Sequence, residues 1–241
     1  SDNVKVSSVG TINLNDISLL GSSPSGNRIA VYGTGNSTEI TGGGTINLGT
    51  ADQTNIAYYL VNGAKLRGTG LGTITGYGVL VYSGGDIDNT TPDIAASDGQ
   101  IALVVKGGSG LTYAKDIKTG DTVNTGTGKY YAVALYTDSQ AGTISNDLYA
   151  GADGIGLYAA GGNGTPGSGS ILIYNGQITI GDGTEGGTGI YVNKGSNVNL
   201  NSGNIILNGS GSVGAYVESN GEFTFGSGSS MTFSSSGKIG R

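Results

Sequence analysis

The chain has 241 residues, a formal net charge of −6 and only 12 % charged residues, and 49 of its residues are glycine. Because it contains no histidine and no cysteine, the composition excludes Ser-His-Asp and Cys-His catalysis and a histidine-ligated zinc site. The lysines and arginines form no run that could follow a phosphate backbone, so we expect no nucleic-acid partner.

The hydrophobic residues indicate a folded chain. They make up 36 % of the sequence and fall in evenly spaced pairs, so we expect the glycines to lie in turns between strands and a hydrophobic core to form. No apolar run reaches the about 18 residues that span a bilayer, and we expect this segment itself to make no membrane contact. We predict no cofactor.

A short apolar strand recurs along the chain. Its first residues are, in order, Ile29, Ile56, Val79, Ile101, Val133, Ile155, Ile190 and Ala215. Five of the seven intervals between these positions lie between 22 and 27 residues, a recurrence that is typical of a solenoid. Strands that repeat at this period with short turns stack on their counterparts in the next coil.

Pairs of apolar residues two positions apart mark the other strands of each coil. We expect these pairs to point inward: Ile12/Leu14, Ile46/Leu48, Ile171/Ile173, Ile178/Ile180, Val198/Leu200, Ile205/Leu207, Phe223/Phe225 and Met231/Phe233. The sequence therefore predicts an all-β, right-handed parallel β-helix of about eight coils, the hand being that of loose coils with variable turns. Residues 1–241 are expected to be one β-helix fragment of a longer protein, because the chain begins with Ser1 and Ile239 still fits a further strand.

Two long intervals predict insertions, at about 106–130 and 159–170. The first concentrates basic and aromatic residues in an otherwise acidic protein, namely Lys106, Tyr113, Lys115, Lys118, Lys129, Tyr130 and Tyr131. This mixture suits acidic sugars or acidic protein surfaces, so we predict a partner-binding surface there; the alternative is a solvated loop whose lysines aid solubility. The second insertion has the composition of a flexible, glycine-rich loop and is a secondary candidate.

Tyrosine recurs at the fourth position of the opening strand. If the first and third residues of that strand point inward, the fourth points outward and forms an aromatic column of Tyr32, Tyr59, Tyr82, Tyr136 and Tyr158, with Val104 as the exception. Two interpretations remain open. The rings stack on one another purely as scaffold, or they form an exposed stripe for sugars or a protein partner.

Aspartates cluster at one place, around residues 84–93. Asp86 and Asp88 lie two positions apart and, on an extended segment, could supply oxygen ligands to Ca²⁺. Aspartate next to asparagine and proline also simply forms turns, and no nonapeptide calcium motif is present. We therefore predict no metal site, with these two residues as the only candidates.

The glycine-tyrosine repeats resemble a known family. Units of the form G-[I/V/A]-x-[V/L]-Y or G-I-Y-V-N-K-G-S-N-V-N-L occur at residues 78–82, 154–158, 189–200 and 214–217. They resemble the passenger regions of Gram-negative type V autotransporters, in the style of the large fusobacterial adhesins, from about Ile29 onward. The resemblance implies a virulence-associated passenger, displayed at the cell surface or secreted and held in the outer membrane by a separate C-terminal β-barrel. The implied partner is a protein or glycan on host cells or other bacteria, and no binding motif is transferred.

The leading functional hypothesis is a non-enzymatic adhesin segment. The alternatives are a carbohydrate-active β-helix enzyme, a lyase or glycosidase, and a purely structural spacer. An enzyme of this kind needs carboxylates placed within about 10 Å of each other across an open groove.

Overall fold

The computed structural model describes residues 5–6, 10–14, 28–51, 53–84, 87–107 and 111–234. Throughout these residues the protein is all β and contains no helix. Parallel sheets stack as a β-solenoid of about eight turns, which confirms the predicted fold class. The right-handed sense of the coil stays a prediction.

The opening strands of the eight coils form a single parallel sheet, which we call the first sheet. Its members are β3 (Ile29–Thr34), β6 (Ile56–Val61), β9 (Gly78–Gly84), β11 (Gln100–Lys106), β15 (Val133–Asp138), β18 (Ile155–Ala160), β21 (Thr188–Val192) and β24 (Val213–Val217). Each strand pairs with its counterparts in the preceding and following coils, so the sheet runs along the whole solenoid.

The remaining coil strands form shorter parallel sheets. Two contain the second strands of the coils: β1 (Lys5–Val6), β4 (Glu39–Thr41) and β7 (Lys65–Arg67) in one, and β16 (Ala141–Ile144), β19 (Ile171–Tyr174), β22 (Asn197–Leu200) and β25 (Glu222–Phe225) in the other. Two contain the third strands: β2 (Thr11–Asn13), β5 (Thr45–Asn47) and β8 (Thr73–Thr75), then β10 (Ile94–Ala95), β12 (Ile117–Lys118), β17 (Leu148–Ala150), β20 (Gln177–Ile180), β23 (Asn204–Leu207) and β26 (Ser230–Phe233).

Two consecutive residues of each opening strand face the core. In β11, Ala102 and Leu103 belong to the main core, whereas Ile101 and Val104 belong to a second apolar cluster outside it. The prediction that the first residue of the strand points inward is therefore wrong, and those for the third and fourth are right. The alternation of faces that the prediction assumed is therefore interrupted once, between the second and third residues of the strand.

Gly189, the glycine of the G-I-Y-V unit, lies where the alternation is interrupted, one residue before the core residue Ile190. A Cβ atom on Gly189 would lie 2.6 Å from the Gly214 carbonyl oxygen of the next coil and 2.9 Å from the side chain of Ile205. Only glycine fits so close an approach of neighbouring coils. The register places Gly156 and Gly214 at this position in the neighbouring coils and Ala102 and Ala134 in earlier ones, so this contact accounts for glycine in the last three coils only.

Four of the eight predicted inward pairs are fully buried, Phe225 and Phe233 of the last described coil are exposed, and the pair in β19 faces outward. Ile171 and Ile173 are exposed, whereas Leu172 and Tyr174 face the core. The Tyr174 hydroxyl donates a hydrogen bond to the Asn146 carbonyl at 2.6 Å, so the buried phenol is satisfied. A run of four apolar residues fits either face, and this polar contact selects the face that buries tyrosine.

The predicted insertion at 106–130 is mostly part of the solenoid. Its strand β12 pairs with β10 and β17 in adjacent coils, and Tyr113 is only 1 % exposed. What projects is an antiparallel hairpin of β13 (Val123–Asn124) and β14 (Lys129–Tyr130). The second excursion is shorter than predicted, because Ala159 and Ala160 are buried in β18, and Ser170 closes the loop by donating to the Ala160 carbonyl.

Candidate binding groove

The tyrosine column extends over all eight coils. In the register of the first sheet, successive fourth positions pair directly, and two further tyrosines, Tyr191 and Tyr216, continue the column beyond Tyr158. Ring centroids of stacked neighbours lie 4.5–5.7 Å apart with interplanar angles of 6–29°. Stacking of the rings is therefore a property of the fold, and Val104 is the one non-aromatic member, between Tyr82 and Tyr136.

The two additional tyrosines were missed because the repeats were aligned on isoleucine. Alignment of the repeats on isoleucine places Ile190 opposite Ile155, but in the structure Ile190 pairs with Leu157, and Thr188 pairs with Ile155. The correct register differs by two residues. An alignment on tyrosine instead of isoleucine would have placed Tyr191 opposite Tyr158.

A groove of about 350 Å³ lies beside the column. Ile101, Val133 and Ile155, the first residues of three successive opening strands, form its floor. The rings of Tyr136, Tyr158 and Tyr191 form one wall. Gln53 and Tyr131 form the opposite wall, and no lining residue is charged. Its volume falls within the range of small-ligand sites, which is roughly 300–1,000 Å³.

The hairpin holds the second wall in place. The Gln53 side chain donates to the carbonyls of Gly99 and Tyr131 and accepts from the Tyr131 N–H, so it joins three parts of the chain. At the end of β14 the Tyr130 ring stacks on Tyr77 with centroids 4.0 Å apart, and its hydroxyl donates to the Thr50 carbonyl at 3.0 Å. The hairpin is therefore a strap fixed to earlier coils.

The hydroxyl groups along the tyrosine wall differ in their partners. The Tyr158 hydroxyl accepts a hydrogen bond from the Asn193 amide at 3.0 Å, and the Tyr191 hydroxyl donates to the Glu218 carboxylate. Burial, and then the nearby Glu218 carboxylate, raise the pKa of Tyr191. Burial raises the pKa of Tyr136 to about 12, and among the described residues its hydroxyl has no hydrogen-bond partner.

The lysines predicted to bind a partner are all paired with aspartates. The pairs are Lys106–Asp138 at 3.1 Å, Lys115–Asp93 at 2.9 Å, Lys118–Asp116 at 3.3 Å and Lys129–Asp153 at 3.4 Å. Lys115 and Lys118 line one depression together with their two aspartates, and each of the four lysines has a carboxylate beside it, so they do not form a basic surface. Tyr113 is wrong as a contact residue, because it is buried and its hydroxyl bonds to the backbone at Pro92 and Ile94.

The candidate metal ligands are not brought together by the described structure. Asp88 pairs with Arg67 at 3.0 Å and accepts from the backbone and hydroxyl of Thr90, and hydrogen bonds from these two residues lower its pKa. Asp86 lies outside the described residues. Among the residues that the structure does describe, no three histidine, cysteine, aspartate or glutamate side chains could hold one ion.

A second depression, of about 480 Å³, contains carboxylates. Asp93 and Asp116 line it together with Lys115 and Lys118, each aspartate paired with one of the lysines.

In the described part of the chain, no residue belongs to a helix long and apolar enough to cross a membrane. Comparison of the chain with protein-family models, with curated proteins and with solved structures finds no match.

Proposed function

We propose that this protein is a non-enzymatic adhesin segment, a rigid β-solenoid that presents the tyrosine groove to a partner on a host cell or another bacterium. The groove is the observation that carries the proposal. It is concave, apolar and open to solvent, and tyrosines on two sides line it. Surfaces of this composition are typical of recognition sites, because tyrosine combines a large apolar ring with a polar tip.

The cell-surface location rests on the repeats. Their resemblance to type V passengers supports a displayed or secreted segment, anchored by a C-terminal β-barrel elsewhere in a longer protein. The eight-coil first sheet supports a role as a stiff spacer, because each coil is hydrogen-bonded to the next along its whole length. A spacer that also carries a groove can hold its binding site away from the membrane.

An adhesin fits the groove better than an enzyme does. Hydrolysis or elimination on a sugar chain needs a carboxylate or another acid-base group against the substrate. No carboxylate lines the groove, and its acid-base groups are tyrosines, of which burial raises the pKa of Tyr136 to about 12 and also raises the pKa of Tyr158 and of Tyr191; the carboxylates of the second depression are each engaged by a lysine. The groove is therefore suited to holding a ligand without reacting with it.

Attachment of protein-coated beads to epithelial cells and to bacteria tests the proposal. Tyr131→Ser removes an exposed ring from the groove wall, and Tyr131 stacks on none of the column rings. Tyr32→Ser is the matched control, because Tyr32 is also exposed but lies at the far end of the column. We expect several-fold fewer attached beads for Tyr131→Ser and parent-like attachment for Tyr32→Ser. Equal attachment of the parent and both variants would contradict the proposal.

A further inference from the structure

We infer that the ligand of the tyrosine groove is an uncharged carbohydrate chain that lies along the solenoid axis. This inference rests on the proposed function and names the partner chemistry of the same site. It follows from the charge, the shape and the hydrogen-bonding groups of the groove.

The charges around the groove favour a neutral ligand. No charged side chain lines it. Lys129, which lies 5.2 Å from the ring centroid of Tyr131, is paired with Asp153, and Lys106, at the end of β11, is paired with Asp138. In a protein of net charge −6, a groove with no charged lining residue, and with Lys106 and Lys129 both paired, offers little attraction to a sulfated, phosphorylated or sialylated chain. Acidic sugars, which the lysine content of residues 106–130 suggested, therefore do not suit this site.

The shape of the groove favours an elongated ligand. Its lining comes from four successive coils, β11, β15, β18 and β21, so it extends over three strand spacings, about 14 Å, along the axis. The rings of Tyr136, Tyr158 and Tyr191 are nearly parallel, at 10° and 6° to their neighbours, and form a continuous wall. An extended sugar chain can follow such a wall with one unit beside the next.

The groups lining the groove match both surfaces of a sugar. The aliphatic floor accepts the apolar C–H faces of the sugar units, while the stacked rings of the wall present their edges and hydroxyl groups to the ligand. The Tyr136 hydroxyl has no partner among the described residues, and the Tyr158 hydroxyl, which accepts from Asn193, retains its own proton to donate. Sugar hydroxyls can satisfy both of these groups.

A peptide fits the groove less well. An added β-strand needs free backbone donors and acceptors. The strands under the groove are central in the first sheet, since β15 is bonded to β11 on one side and to β18 on the other. A peptide backbone would therefore meet side chains only and leave its own polar groups unpaired.

Calorimetric titration of the intact 241-residue protein tests the inference. The probes are neutral oligosaccharides of two to six hexose or N-acetylhexosamine units, with sialylated and sulfated chains of the same lengths for comparison. We expect binding by neutral chains that strengthens with chain length and does not change with salt. Tyr136→Phe keeps the stacked ring and removes the hydroxyl, and it should weaken binding about three- to tenfold at an unchanged melting temperature. Tyr32→Phe, outside the groove, should bind like the parent.

The outcomes separate this inference from the proposed function. If no neutral chain binds while Tyr131→Ser still loses cell attachment, the ligand is not a carbohydrate and the adhesin proposal stands. If acidic chains bind more tightly than neutral chains and added salt weakens their binding, the inference of an uncharged ligand is wrong. If neutral chains bind and Tyr136→Phe weakens their binding, but beads coated with Tyr131→Ser attach to cells like the parent, the carbohydrate site stands and the adhesin proposal fails.

Discussion

Leu207 and Phe233 hold the same register position in adjacent coils, yet Leu207 is 1 % exposed and Phe233 is 47 % exposed. The same difference separates Leu200 from Phe225. The last described coil has a neighbour on one side only, so its inward residues lie on an open apolar end. Position in the repeat alone therefore does not determine burial.

The first prediction compares these two positions. Leu207→Ala should lower the free energy of unfolding by about 2–5 kcal/mol, because it leaves a cavity between two packed coils. Phe233→Ala should cost clearly less, because about half of the ring is already in contact with solvent. Melting temperatures and urea unfolding of the two variants provide the measurement. A larger loss for Phe233→Ala would show that another part of the protein covers the open end.

The second prediction concerns the two faces of β22. Leu200→Asp should unfold the coils around it, because an unpaired carboxylate would be buried at a position that is fully inaccessible. Its neighbour Asn199 faces outward between Ile173 and Thr224 in the register, and its buried amide oxygen has no partner in the described structure. Asn199→Val should therefore stabilise the protein, by up to about 1 kcal/mol. Circular dichroism melts measure both effects, and destabilisation by Asn199→Val would indicate a partner for the amide.

The sequence predicts the architecture well because the periodicity is itself the architecture. Pairs such as Val198 and Leu200 reveal their buried face because polar residues alternate with them. The face of β19 is not predictable in this way, because Ile171 to Tyr174 are all apolar and only the hydrogen bond of Tyr174 distinguishes the two faces. The interrupted alternation of the opening strands likewise depends on how closely neighbouring coils approach.

The third prediction concerns the hairpin strap. Tyr130→Ala removes the ring that stacks on Tyr77 and the hydrogen bond to Thr50. Each interaction is worth about 1 kcal/mol, so residues 123–130 should exchange their amide hydrogens faster while the coils keep their protection. Hydrogen exchange resolved by peptide is the measurement, with Tyr32→Ala as a control that removes a stacked ring far from the strap. Unchanged exchange in the hairpin would mean that Gln53 and the Lys129–Asp153 pair hold it without Tyr130.

The groove was less predictable than the fold. The tyrosine wall follows from local repeats and was largely anticipated, but the opposite wall joins Gln53 to Tyr131, which are 78 residues apart. No periodicity connects two such residues. The predicted binding role of the lysines in residues 106–130 depends on composition, and composition does not show that each lies within reach of an aspartate.

The last prediction concerns alkaline pH. The pKa of Tyr136 is raised to about 12 in the folded protein, chiefly by burial, whereas an unfolded tyrosine has a pKa of about 10. Between these values the unfolded chain loses the phenol proton and the folded chain keeps it, so unfolding becomes more favourable. The contribution to stability is therefore complete below about pH 10 and is lost as the pH rises to about 12.

Other buried tyrosines act in the same direction. One of them is Tyr113, because burial also raises the pKa of its hydroxyl to about 12. The melting temperature of the parent should fall from pH 9 to pH 12. That of Tyr136→Phe should match the parent near pH 8 and fall less steeply above pH 10, since it has one such phenol fewer. Parallel curves for the two proteins across the whole range would show that the Tyr136 hydroxyl is as well solvated in the folded state as in the unfolded one.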